Sequence, residues 1–231
     1  MKKLTLYFLL LFFSMNSISQ NGRNGPSLWE EIRMNSKLDY DNTKPQIIEA
    51  LKKYDSHQYL INRLSKNGQR YLFYTVQEAL KRDLPVELSL IPFVESQFDP
   101  YAQSSTGASG IWQFIPSTAL ENGLKKNWWY DARRDIVAST NAAYNFLIKL
   151  NEEHDDWLIA IAAYNAGPSR VRKEIRKNKE KGLPTDFWSL NLPKETRAYV
   201  PKILALAEVI RNPRSFNIEL PYLANRPYFR V

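Results

Sequence analysis

A single carboxylate at the end of an apolar run constrains this chain more than any other feature. From Val86 the sequence reads Val-Glu-Leu-Ser-Leu-Ile-Pro-Phe-Val-Glu-Ser, and Leu88, Leu90, Ile91, Phe93 and Val94 all precede Glu95. A run of that character packs as a buried helix. A carboxylate placed there loses water around its charged form, which raises its pKa and keeps a proton on it near neutral pH, as a general acid requires. The plain alternative is a surface Glu near a helix end. Glu95 by itself does not choose between them.

The spacing elsewhere predicts helices in succession. Ser27-Leu-Trp-Glu30 has the capping-box pattern. Helical periodicity continues over Pro45–Tyr54, Gln58–Leu64 and Tyr71–Lys81. Asp83 opens the principal helix, with Pro85 in its first turn and Asp99-Pro100 as its stop. Pro92, inside it, removes one hydrogen bond and is expected to kink the axis just before Glu95. A small-residue loop, Gln103 to Gly110, returns through Ile111-Trp-Gln-Phe-Ile-Pro116 to a helix capped at Ser117. Asp135–Leu150 and Asp156–Ala166 follow, the second apolar nearly all round and ended by Gly167-Pro168. Arg170 to Lys181 is a basic segment, read as a solvated helix face. Leu192–Ile210 closes the set, and the tail Phe216–Val231 reads as an extended strap. No segment reads as a strong strand and no repeat is present. The expected fold is mainly α.

Met1–Lys3 followed by the apolar run Leu4–Phe13 and small residues to Ser19 has the form of a secretory signal peptide, too short to span a bilayer comfortably. The expected organisation is therefore a signal peptide at 1–19, a helical segment at 20–82, a principal domain at 83–212 and a tail at 213–231. The mature chain is expected to be exported, to lie in the periplasm or cell envelope of a bacterium, and to have no transmembrane span.

Composition narrows the chemistry. The chain has no Cys, which excludes disulfides, thiol catalysis and thiolate metal sites. His57 and His154 lie far apart, so no metal site, His-based triad or cofactor is expected. Asp and Glu must carry any acid–base work. The formal charge of +8, two of it in the leader as Lys2 and Lys3, favours an anionic partner. The basic residues are dispersed and the chain carries an export signal, so nucleic acid is not expected. Aromatics make up 13% of the chain, with six Trp and thirteen Tyr, which suits stacking on sugar faces as well as core filling.

Three segments taken together carry a resemblance. Glu95-Ser96, Gly110-Ile-Trp-Gln113 and Ala163-Tyr-Asn-Ala-Gly167 resemble the signature motifs of the lytic transglycosylases with a soluble-lytic-transglycosylase domain, a lysozyme-like fold. Leu192-Pro-x-Glu-Thr-Arg-x-Tyr-Val-Pro201 and Asn127-Trp-Trp-Tyr-Asp131 resemble the membrane-bound murein transglycosylase D-like branch. The resemblance covers roughly residues 27 to 229, and 83 to 210 most specifically. It implies a lysozyme-like helical catalytic domain with additional N-terminal helices. The activity it implies is cleavage of the β-1,4 bond between N-acetylmuramic acid and N-acetylglucosamine in peptidoglycan glycan strands, leaving 1,6-anhydromuramoyl ends. By position, Glu95 becomes the sole catalytic acid/base.

Glycosidases ordinarily flank the bond with two carboxylates, about 5–5.5 Å apart for retention or about 6.5–9.5 Å for inversion. These motifs supply one. Asp99 adjoins Pro100 at a helix end, where capping or turn formation is its expected role, so an internal nucleophile such as the substrate's own hydroxyl or acetamido group becomes attractive. The resemblance puts Ser104 and Gln113 near the reacting sugars and points Tyr164 and Asn165 into the same cleft, with Tyr164 hydrogen-bonding Glu95 or an acetamido group. Ser96, Glu195 and Tyr199 are further candidates to line the groove and bind the sugars. Other roles fit the same residues: Asn165 as a C-cap, Gln113 as a partner of loop backbone, Ser96 as a cap or brace of its helix, and Glu195 and Tyr199 as a pair on one helix face. A lysozyme-type muramidase and a non-catalytic peptidoglycan-binding protein are the competing functions. The branch commonly carries LysM repeats and an N-terminal lipid-bearing Cys, and this sequence has neither. Retention on the wall is expected to come from the groove, the basic surface or a cell-wall enzyme partner.

Overall fold

The structure is a computed structural model in which residues 25–53 and 57–230 are described; the leader read at residues 1–19 lies outside them. Among the described residues ten α-helices run in order: α1 Leu28–Met34, α2 Pro45–Lys52, α3 His57–Gly68, α4 Leu72–Lys81, α5 Ile91–Ser96, α6 Pro116–Glu121, α7 Ile136–His154, α8 Trp157–Ala166, α9 Pro168–Glu180 and α10 Lys194–Arg211. Short 3-10 turns occupy Val86–Leu90, Phe187–Ser189 and Pro213–Phe216. Pairing between extended segments is confined to isolated bridges. The mainly helical class read from the sequence is the class observed.

The helix at the centre is the one whose sequence leaves it nowhere else to go. In α8, Leu158, Ile159, Ala160, Ile161, Ala162 and Ala163 are all buried, so it has no polar face to turn to water and must be surrounded. α7, α9 and α10 pack around it. Its start is fixed by Asp156, whose Oδ1 accepts from the backbone N–H of Leu158 at 2.7 Å and of Ile159 at 3.1 Å. Asp135 caps α7 in the same manner through Ala138 N–H at 2.9 Å. Such caps contribute about 1 kcal/mol each.

α10 lies across α8, α5 and the Val86–Leu90 turn, and also receives α2 from the N-terminal segment. Glu87 fixes this junction. It is 1% exposed, and its carboxylate accepts from Ser36 Oγ at 2.5 Å, Lys37 N at 3.2 Å, Leu38 N at 3.2 Å and Arg211 Nη2 at 3.0 Å. A buried charge met by this many donors is structural, and removing one partner leaves it uncompensated. Beyond Phe216 the tail has no helix and folds back on the N-terminal segment. Leu28 N donates to Leu223 O at 2.8 Å, Trp29 Nε1 to Pro221 O at 2.7 Å, and Gln58 exchanges two bonds with the backbone of Glu219.

Four local expectations are corrected. The helix from Asp83 is not one kinked rod. A 3-10 turn ends at Leu90 and α5 begins anew, so Pro92 falls in the first turn of α5 and costs no hydrogen bond. The chain then stops before Asp99, because Gln97 and Phe98 both turn left-handed, at φ 56° and 62°. Ser27 forms no capping box, since its hydroxyl donates to Leu223 O at 3.3 Å instead. α6 starts at Pro116 with Ile115 before it, one residue ahead of the Ser117 cap expected.

Candidate active site

Glu95 sits in the last turn of α5, a six-residue helix in which Ile91, Pro92 and Phe93 are buried. The left-handed pair after it turns Phe98 into the core at 2% exposure, so the carboxylate is left at the wall of a cavity of about 330 Å³. Ser104, Thr106 and Ala108 face it from the small-residue loop, Gln113 and Phe114 from the return segment, Tyr164 and Asn165 from α8, and Glu195 from α10.

The loop is held from behind. Gly110 runs at φ +80°, and a Cβ there would stand 1.8 Å from the Arg133 carbonyl oxygen, so only glycine fits. Arg133, 4% exposed, donates through Nη1 to Gly107 O at 2.7 Å and Phe114 O at 3.1 Å, while Nε and Nη2 grip Asp131 at 2.9 and 2.6 Å. This ion pair keeps the Asp131 carboxyl below its usual range. Gln113, itself left-handed at φ 50°, spends its amide hydrogens on Gly110 O at 2.7 Å and Ala102 O at 3.2 Å. That leaves its Oε1 as the acceptor presented to a ligand. Ser104 is engaged within the loop, bonding Thr106 Oγ1 at 2.9 Å and accepting from Ala108 N at 3.0 Å.

Glu95 differs from Glu87 in how little holds it. Tyr199 Oη donates to Glu95 Oε1 at 2.5 Å, and no other bond to the carboxylate accompanies it among the described contacts. Burial lifts the Glu95 pKa to about 7; the Tyr199 hydrogen bond opposes that rise and the nearby Glu195 charge adds to it. The Tyr199 hydroxyl is buried beside this carboxylate, and its own pKa is driven well up, first by burial. It stays protonated and donates. The arrangement leaves a carboxyl near half-protonation at neutral pH, able both to release a proton and to take one back.

The two tyrosines divide the work differently from the expectation. Tyr164 does not bond Glu95. Its hydroxyl donates to Trp112 O at 2.7 Å and its ring packs with Phe114 and Phe146, bracing the segment that carries Gln113. Tyr199 holds Glu95 instead. Ser96 also turns away from the cavity, donating to Pro92 O at 3.1 Å and Ile111 O at 3.0 Å, which ties α5 to the return segment. Asn165 is not a C-cap: Gly167 ends α8, and Asn165 Oδ1 accepts from Thr196 Oγ1 at 2.8 Å across to α10. Glu195 and Tyr199, read as a helix-face pair or as groove lining, both face Glu95. The cavity thus holds a second carboxylate that the three motifs did not supply.

Sequence reasoning missed Thr106, Thr118, Phe146 and Pro168, which also line the cavity. Pro168 carried one signal, its place directly after Gly167. Nothing in the spacing of the two threonines marks them.

With this geometry in place, the comparisons are specific. The sequence profile of the transglycosylase SLT domain matches residues 74–186. The membrane-bound lytic murein transglycosylase D of Escherichia coli (strain K12) is 47% identical over 177 residues, 76% of this chain and 39% of the relative. The putative tributyltin chloride resistance protein of Alteromonas sp. (strain M-1) is 37% identical over 168 residues, 72% of this chain and 79% of the relative. A solved structure of an inactive mutant of lytic transglycosylase Slt from Pseudomonas aeruginosa aligns with 67% of this chain and 26% of that one, at 28% identity and a TM-score of 0.46. The chain spans well under half the length of the Escherichia coli relative. The profile match ends at residue 186, so Glu195 and Tyr199 lie beyond it.

Proposed function

This chain belongs to the transglycosylase SLT-domain family, and on that footing we propose that it is a peptidoglycan lytic transglycosylase. It breaks the β-1,4 bond between N-acetylmuramic acid and N-acetylglucosamine and leaves 1,6-anhydromuramoyl ends. The observation that carries this reading is Glu95, half-buried at a cavity wall and held, among the described contacts, by Tyr199, with its pKa lifted to about 7.

The protonated Glu95 donates to the glycosidic oxygen as the bond to muramoyl C1 breaks, and the leaving sugar departs with that proton as its hydroxyl. The carboxylate then accepts the proton of the muramoyl C6 hydroxyl as that oxygen closes on C1. Glu95 ends as it began and no water is consumed. A carboxyl poised near the working pH serves both halves. Tyr199 steadies the charged form between them, and its bond fixes the carboxylate's orientation. Gln113 Oε1 and the Asn165 side chain, which both line the cavity, are proposed to take the acetamido groups, with Ser104 at the loop rim.

A lysozyme-type muramidase is the second reading, and Glu195 is what favours it: a second carboxylate in the cavity gives water a possible base. Mass spectrometry of the products separates the two, because anhydro ends are lighter by one water than hydrolysed ends. An envelope location follows from this substrate. No helix among the described residues is long and apolar enough to cross a membrane.

A further inference from the structure

The segment that walls the cavity through Ser104, Thr106 and Ala108 also walls a second one, of about 530 Å³, through Pro100 and Tyr101. Tyr101 precedes Ser104 by three residues, so their Cα atoms lie within about 11 Å of each other. Trp128, Trp129 and Tyr130 form the other side of this groove. Trp128 and Trp129 are 86% and 89% exposed, and Tyr101 is 75% exposed. The core uses none of the three, and leaving such large apolar faces in water is unfavourable unless a ligand covers them.

The turn that presents the two indoles is fixed. Asn127 Oδ1 accepts from Trp129 N at 2.9 Å and Tyr130 N at 2.8 Å, and Asn127 N donates to Tyr130 O at 2.8 Å. Tyr130 Oη donates to Asp135 Oδ2 at 3.0 Å. The indoles stand edge to face, centroids 6.3 Å apart at 89°. At the rim, Lys126 and Arg134 are matched by Asp131 and Asp135, so the groove has no net sign. An anionic lipid surface calls for a cationic excess on an open face. A shallow, charge-balanced groove with exposed aromatic side chains and a polar rim fits instead an uncharged sugar ring, whose C–H face packs on the indole and whose acetamido and hydroxyl groups meet the rim.

We propose that this aromatic groove is a second binding station for a β-1,4-linked N-acetylated amino-sugar strand. It grips sugars of the strand whose scissile bond lies at Glu95, and the inference therefore rests on the function proposed above. Tyr101 hands the strand from one cavity to the other.

Binding is measured with Glu95→Gln protein, so that no strand is cut, using insoluble peptidoglycan sacculi and long and short β-1,4-N-acetylglucosamine oligomers. Adding Trp128→Ala and Trp129→Ala is expected to weaken binding to sacculi and long oligomers by about tenfold or more, with a smaller loss on short ones. Met34→Ala, which trims a residue 74% exposed on α1, is expected to leave both unchanged. Binding of the double-Trp variant within about twofold of its parent on every strand overturns the proposal. So does a loss confined to phosphatidylglycerol vesicles, which makes the groove a lipid surface. If the wild type yields no anhydro ends while the Trp pair still governs strand binding, the catalytic reading fails and the binding station stands.

Discussion

Tyr199 on α10 donates its phenolic hydrogen to Glu95 on α5 at 2.5 Å, joining residues 104 positions apart in sequence. This bond favours the charged carboxylate and restrains a pKa that burial and Glu195 push upward. Removing the donor therefore raises the pKa further. Tyr199→Phe is expected to shift the alkaline limb of the pH–rate profile to higher pH and to lower kcat by about tenfold through lost orientation. Release of anhydro-muropeptides from pH 5 to 9 measures both. An unmoved limb sinks this account of the pair.

Glu195 acts on the same carboxylate with the opposite sign. Its negative charge disfavours ionisation of Glu95, so Glu195→Gln is expected to lower the Glu95 pKa and move the rate optimum toward acid. The product should remain an anhydro end. A switch in product, or complete inactivity with the fold intact, assigns Glu195 a chemical step.

Stability carries the same signature. The carboxyl of Glu95 lies near 4.5 in the unfolded chain and is raised to about 7 in the fold. Between those values the folded state binds the additional proton, so stability is full below about pH 4.5 and falls as pH rises through 7. The linkage amounts to at most about 3 kcal/mol. Glu95→Gln, which cannot ionise, should melt above wild type at pH 8, and the gap should close toward pH 5. A pH-independent gap contradicts the half-buried, weakly compensated carboxylate.

The sequence and the structure agree where a residue's role depends on its own segment. The helices read from Asp135 and from Asp156 form there, with those two residues as their caps, and the apolar run before Glu95 packs into the core and leaves Glu95 half-buried. They part where a role depends on what docks against the segment. Ser27 has a capping pattern, but the returning tail offers the Leu223 carbonyl and takes the hydroxyl. Pro92 reads as a helix interior because apolar spacing continues through a 3-10 turn as it does through an α-helix. Which of Tyr164 and Tyr199 reaches Glu95 is decided by the crossing of α5, α8 and α10, and no local spacing encodes that. Glu195 is legible as a helix-face residue and illegible as a neighbour of Glu95 for the same reason.

Gly110 is the tightest backbone contact behind the site. With φ +80° and the Arg133 carbonyl where a Cβ would lie, Gly110→Ala is expected to cost more than about 2 kcal/mol and to displace Gln113. Thermal melting reads the first, and activity with added stabilising osmolyte reads the second. Wild-type melting in this variant would show that the loop is not pinned as described.

The central claim is that Glu95, working without a water molecule, cuts and closes the muramoyl unit. The most direct test digests purified peptidoglycan with the wild type and with Glu95→Gln and weighs the products. Anhydro-muropeptides from the wild type, falling by about 10²–10⁴-fold in the variant, are the predicted result. Ordinary reducing ends from the wild type would contradict it and make the protein a hydrolase; equal release by both proteins would remove Glu95 from the reaction.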